Sequence, residues 1–210
     1  MTDTRITDLE QIKQVFDKFN VRFFVVYGAL LGMYRDGKLI EHDDDIDLAV
    51  IDPIDFETRK KIGWTLYDLG FQPQNIAFNV FGRMEPSEIG YNGDSETGII
   101  VCERNFKFTI FFFKEEDCPQ HGKEMVCTPK LGALKLISTP SKFFLKPDSI
   151  KIAKTKYLVP APIKEYLSWA YFDNWKDKTD RRHSDTYLMQ HAPKESVDIT
   201  GANEVTIYGK

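Results

Sequence analysis

Residues 45–50 read Asp-Ile-Asp-Leu-Ala-Val, and this alternation restricts the possible folds more than any other stretch. On a strand, side chains two apart share a face and direct neighbours point to opposite faces. Asp45 and Asp47 therefore stand side by side, while Ile46, Leu48 and Val50 turn to a core. Two adjacent carboxylates repel each other unless a cation lies between them, and hard oxygen ligands favour Mg²⁺ or Mn²⁺. The pattern predicts a metal site on Asp45 and Asp47, shared with the phosphates of a substrate.

Upstream lie an apolar run, Phe23 to Tyr27, and two glycines, Gly28 and Gly32. The order is strand, glycine turn with a short helix, then strand with two acids. Gly28 ends the first strand where a side chain would block close backbone approach, and the amides of Gly28 and Ala29 open the next helix, where a phosphate can rest. Asp43 and Asp44 belong to the loop or to a layer behind the ligands. The spacing matches neither GxxxxGK[ST] nor GxGxxG. It also fails as a calcium loop, because Leu48 falls where Gly is needed and Ile54 where the bidentate Glu belongs. A solvated charge run, the common fate of adjacent aspartates, leaves both the alternation and the glycines unexplained.

The stretch YGALLGMYRDGKLIEHDDDIDLAV resembles the signature of the LicD and fukutin-like transferases, a branch of the nucleotidyltransferase superfold. The residues that carry the resemblance are Gly28, Leu30, Leu31, Gly32, Arg35, Gly37, Asp43, Asp44, Asp45, Ile46 and Asp47. His42 departs from it, standing where the family often has Trp. The resemblance implies an α/β (α+β) fold with a mixed sheet covered by helices. It also implies transfer of a phosphorylated alcohol, such as phosphocholine or a phospho-alditol, from a CDP-linked donor to a glycan or small-molecule hydroxyl. By position, Asp45 and Asp47 carry Mg²⁺ or Mn²⁺. Arg35 meets a phosphate or braces the acidic loop, since its planar fork suits either role.

The same resemblance raises a difficulty. Related sites draw a third carboxylate from a later strand, and here the corresponding stretch is Thr109, Ile110, Phe111. Three explanations stand: another acid such as Glu103 serves, the first pair works alone, or the chain binds without catalysis. Phosphoryl transfer rests mainly on positioning and charge stabilisation, so a missing base need not abolish it. Two other functions remain beside the phosphotransferase: nucleotidyl transfer to a small molecule or protein, and a non-catalytic ligand-binding module.

The remaining residues fit this frame. Thr7 to Glu10 has the form of a capping box ahead of a helix over Asp8–Phe19. A second helix is expected over Phe56–Leu69, stopped by Gly70, and a hairpin over Ile99–Glu103 and Phe106–Phe113. Phe78–Met84 reads as a strand, Glu85–Gly98 as a loop, Glu115–Lys123 as a turn before a short strand near Met125, and Lys130–Ile137 as a short helix. A further helix follows Pro162. Tyr171 and Trp175 match the end of the family pattern, with Phe172 in place of its usual Gly.

The chain of 210 residues is expected to form one domain over residues 1–175 with a polar tail over 176–210. A net charge of −4 argues against non-specific nucleic-acid binding. Cys102, Cys118 and Cys127 lack CxxC spacing and read as reduced thiols, or as one disulfide and a free thiol. His121, His183 and His191 have no metal-ligand spacing. Without roughly 18 consecutive apolar residues or a signal peptide, a cytoplasmic location is expected.

Overall fold

The computed structural model describes residues 3–73, 97–118, 122–127 and 137–177. In chain order its elements are α1 (Thr4–Lys18), β1 (Phe24–Val25), α2 (Tyr27–Asp36), β2 (Asp45–Val50), α3 (Phe56–Asp68), β3 (Gln72–Pro73), β4 (Gly98–Glu103) and β5 (Lys107–Phe112). There follow β6 (Lys114–Cys118), β7 (Gly122–Cys127), β8 (Ile137–Pro140), α4 (Lys142–Leu145), β9 (Asp148–Ile152), β10 (Thr155–Val159) and α5 (Ile163–Tyr171). Seven strands form one mixed sheet in the order β3-β4-β5-β2-β1-β10-β9, and β6-β7-β8 form a second. This is the mixed α/β arrangement, sheet and covering helices, that the sequence leads one to expect.

The acid-bearing strand β2 lies in the middle of the large sheet, parallel to β5 and antiparallel to β1. Its alternation is visible as burial: Ile46 and Leu48 are closed off from solvent while Asp45 and Asp47 are partly buried. Phe108 and Ile110 of β5 continue the same core face, in register with Ile46 and Leu48. Leu9, Ile12, Val15 and Phe16 of α1 cover this core, with Phe16 meeting Phe23 edge to face at 5.3 Å.

Several boundaries differ from expectation for local reasons. Helix α1 starts four residues earlier, capped by Asp3, whose carboxylate accepts from Arg5 N at 3.0 Å. The capping box at Thr7–Glu10 is therefore helix interior. Asp8, expected at the helix start, is fully buried instead; it accepts from Arg104 and from Asn105 N at 3.1 Å, tying α1 to the β4–β5 turn. Strand β1 is shorter than the apolar run because Val26 already caps α2. Helix α3 ends as expected, with Gly70 at φ 87°, but Leu69 is exposed.

The polar stretch expected as a turn at Glu115–Lys123 is mostly strand. Its charged side chains point to solvent and pair across β6 and β7, Lys123 with Glu115 at 2.6 Å, so backbone pairing rather than apolar alternation defines it. Cys102, Cys118 and Cys127 are free. Ile137 opens β8, while the rest of the helix expected over Lys130–Ile137 lies outside the described residues. So do the strand expected at Phe78–Met84, most of the loop before Gly98, and His121, His183, His191 and the tail beyond Asp177. Among the described residues no helix is long and apolar enough to cross a membrane.

Candidate active site

The site is built where β1 gives way to α2 against the start of β2. Val26 is extended and donates from its N–H to Asp47 O at 3.2 Å, which fixes the mouth of α2 beside the acids. Tyr27 opens the helix at φ 47°, an uncommon conformation for a large side chain. Gly28 follows, and the Cβ of any other residue there would collide with Asp43 Oδ2. The bare glycine thus admits the Asp43 carboxylate to the first turn of α2. Gly32 performs a similar task one turn on, since a Cβ would lie 2.7 Å from Lys38 O and 2.9 Å from Ile40 N. It lets the loop that leads to the acids fold back onto the helix.

Asp43, Asp44 and Asp45 each bring one carboxylate oxygen to within 4.8 Å of the others. Asp47, two residues along the strand, faces the same side and feels the charges of Asp45 and Asp43. Burial, then Asp45 and Asp44, push the Asp43 carboxyl up to about 6. Burial, then Asp45 and Asp43, hold Asp47 well above the usual carboxylate range. Both shifts are set first by burial and then by the neighbouring acids, with Lys107 opposing the one on Asp47. A donor set made only of carboxylate oxygens fits a hard divalent cation such as Mg²⁺ or Mn²⁺.

Lys107 of β5 stands in register with Asp45, its Nζ 3.3 Å from Asp45 Oδ2 and 3.6 Å from Asp44 Oδ2. Burial alone would lower its pKa, but Asp45 and then Asp44 raise it. Thr109 is in register with Asp47 on the same strand. The sheet therefore sets Thr109 at the position next to the acid pair, and no acid occurs within β5. Glu103 is exposed at the end of β4, opposite Lys107 rather than Thr109.

The other predicted residues are spread around this centre. Ala29 is buried in the first turn of α2. Arg35 sits at the far end of that helix, donating to Asp36 Oδ2 at 2.9 Å and to Trp175 O at 3.3 Å. It thus ties α2 to the segment after α5. Trp175 packs on Tyr34 at 5.9 Å.

An aromatic wall completes the site. Tyr27 and Tyr166 rings lie 6.3 Å apart, and Tyr27 meets Phe111 at 6.4 Å. Burial raises the Tyr171 hydroxyl well above its usual value, and Asp47 adds to this, so α5 ends close to the acids. Phe172 follows at φ 62°, ψ 179°, a region that only glycine enters freely. Lys107 and Tyr166 escaped sequence reasoning. Alternation along β5 shows that Lys107 and Thr109 share a face, but only the strand order reveals which acids they adjoin.

The acids of β2 thus stand beside the glycine-opened start of α2, on a mixed sheet. Residues 20–79 match the LicD/FKTN/FKRP nucleotidyltransferase domain family. This match bears out the LicD and fukutin-like resemblance over the segment that carries the glycines and all four acids. None of the curated proteins matches the chain. Among solved structures it is similar to the lincomycin-bound lincosamide antibiotic adenylyltransferase LnuA, with 12% identity over 87% of this chain and 92% of that one, at a TM-score of 0.47. It is also similar to the solution structure of the antibiotic-resistance factor ANT(2'')-Ia, with 15% identity over 90% and 82% and a TM-score of 0.46.

Proposed function

We propose that the chain is a metal-dependent phosphotransferase that moves a phosphorylated alcohol, phosphocholine or a phospho-alditol, from a CDP-activated donor to a glycan hydroxyl. The observation that carries this is the gathering of Asp43, Asp44 and Asp45 oxygens within 4.8 Å at the glycine-opened start of α2, inside the segment that matches the LicD family. Asp45 and Asp47 would hold Mg²⁺ or Mn²⁺, which when bound neutralises charge on the donor diphosphate. Asp43 and Asp44 support them from the loop.

In the transfer, the acceptor oxygen forms a bond to the phosphorus of the transferred group as the bond to the cytidine monophosphate oxygen breaks. The leaving nucleotide takes the electron pair, and the acceptor proton passes to a site carboxylate. Gly28 makes room for the Asp43 carboxylate at the first turn of α2, and the amides that open the helix would meet the donor phosphate beside it. Tyr27, Tyr166 and Tyr171 wall off water on one side. A cytoplasmic setting is part of the proposal, and free Cys102, Cys118 and Cys127 support it.

Thr109 beside Asp47 favours a second reading, a non-catalytic ligand-binding module of the same fold. One experiment separates the two. Thermal stability is measured with nucleotides and CDP-alcohols, with and without Mg²⁺, on wild type and Asp47→Asn, followed by mass analysis of acceptor products. A native-state ligand at a hundred times its Kd stabilises by about 2.7 kcal/mol. The phosphotransferase requires a metal-dependent shift for a CDP-linked compound, lost in Asp47→Asn, and an acceptor that gains a phospho-alcohol. An acceptor that gains a nucleotide makes the chain a nucleotidyltransferase. Binding without any product leaves the binding module.

A further inference from the structure

Lys107 is the feature that the metal-dependent reading leaves without a task. It is rooted on β5 directly beside Asp45, and its ammonium lies 3.3 Å from Asp45 Oδ2 and 3.6 Å from Asp44 Oδ2. These are two of the three carboxylates whose oxygens gather within 4.8 Å. A divalent ion drawn to that cluster meets an ammonium already on the same oxygens, and two cations cannot share them without repulsion. The side chain of Lys107 is 28% exposed and that of Asp44 is 87% exposed. Four rotatable carbons carry a compact point charge, so the root stays fixed while the ammonium can swing.

We infer that Lys107 is a tethered counter-ion. Without metal it holds Asp44 and Asp45; with Asp45 and Asp47 engaged by a metal, the Lys107 ammonium would lose its hold on Asp45 and become free to pair with the phosphate oxygens of the nucleoside diphosphate donor. No covalent bond is made or broken in this exchange. It couples the two ligands, because the metal frees the cation that the donor uses, and each therefore strengthens the binding of the other. The inference rests on the metal-site reading above and assigns Lys107 as a positioning residue for metal and donor.

The test is calorimetric titration of Mn²⁺ alone, then of CDP at saturating Mn²⁺, on wild type, Lys107→Met, Lys107→Arg and Asp45→Asn. Circular dichroism confirms that each variant is folded. Removing a competing, partly buried ion pair should tighten Mn²⁺ binding in Lys107→Met by roughly two- to tenfold and weaken CDP binding in the presence of Mn²⁺ by a similar factor. Lys107→Arg, which keeps the charge, should stay near wild type in both titrations. A purely structural lysine would leave both affinities unchanged, and that result overturns the inference. If wild type binds Mn²⁺ in a manner that Asp45→Asn abolishes, while Lys107→Met is silent, the inference alone falls. If wild type binds no Mn²⁺, or Asp45→Asn binds it equally well, the metal-site reading falls and takes the inference with it.

Discussion

At the scale of single residues, the backbone around the site is held in conformations that side chains disfavour. Tyr27 has φ 47° and Phe172 has φ 62° with ψ 179°. The sequence already marked Phe172 as the place where the family pattern has Gly, and the dihedrals give the physical reason for that glycine: a Cβ is strained there by about 1–3 kcal/mol. The Phe172 side chain is only partly covered, at 37% exposure. Phe172→Ala loses those contacts and keeps the strain, whereas Phe172→Gly loses the contacts and relieves it. Glycine should therefore be the more stable of the two variants by about 1 kcal/mol, reversing the usual order. Paired urea denaturations decide this; an alanine variant equal to or better than the glycine variant would show that the backbone carries no strain. Phe172 could be singled out from sequence by its pattern, but its φ could not, because a positive φ in a large residue is imposed by the packing of α5 around it.

At the scale of elements, the helices were legible and their starts less so. Apolar spacing along Leu9, Ile12 and Phe16 identified α1, but Thr7 and Glu10 suggested a cap that Asp3 provides four residues earlier. Asp8 explains the failure: its carboxylate is taken by Arg104 and Asn105 of a distant turn, a tertiary demand with no local signature. The short strand expected near Met125 is β7, whose Met125, Val126 and Cys127 are buried, whereas β6 was missed because an exposed charged strand lacks apolar alternation. The caps themselves carry a pH prediction. Asp3 accepts from Arg5 N and Asp55 from Thr58 N, at 3.0 and 2.8 Å. The Arg5 side chain holds the Asp3 carboxyl below its usual value, and the Thr58 N–H does the same for Asp55. A lowered folded-state pKa means that the unfolded chain takes up the proton first as pH falls. The stabilisation is therefore complete above the usual value of 3.8 and is lost as pH drops through the folded value. The double variant Asp3→Asn, Asp55→Asn keeps cap acceptors without titrating. It should have a lower urea midpoint than wild type at pH 7, with the gap narrowing toward about pH 3. A gap that is constant from pH 7 to pH 3 would mean that the two carboxylates titrate alike in both states.

At the scale of the whole molecule, the site depends on strand order, which periodicity does not encode. The acids of β2, the glycines of α2 and their proximity were readable because they are contiguous in the chain. The neighbours Lys107 and Thr109 arrive from β5, some sixty residues later in the numbering, and become neighbours only because β5 pairs in parallel beside β2. The position of Thr109 makes one last consequence testable. In register with Asp47 on the adjacent strand, a carboxylate at 109 would face the same acids. Like charges opposite each other on a sheet cost up to about 1 kcal/mol, and Asp47 is already raised by its acidic neighbours. Without metal, Thr109→Asp should thus melt roughly 2–4 °C below wild type. With Mn²⁺ the sign changes, because each added oxygen ligand of a hard cation strengthens its hold. Mn²⁺ affinity should rise several-fold, and saturating Mn²⁺ should restore or exceed the wild-type melting temperature by mass action. A variant that loses stability but gains no Mn²⁺ affinity would place position 109 beyond reach of the ion, and the pairing of Asp47 with Thr109 would then be structural rather than part of the site.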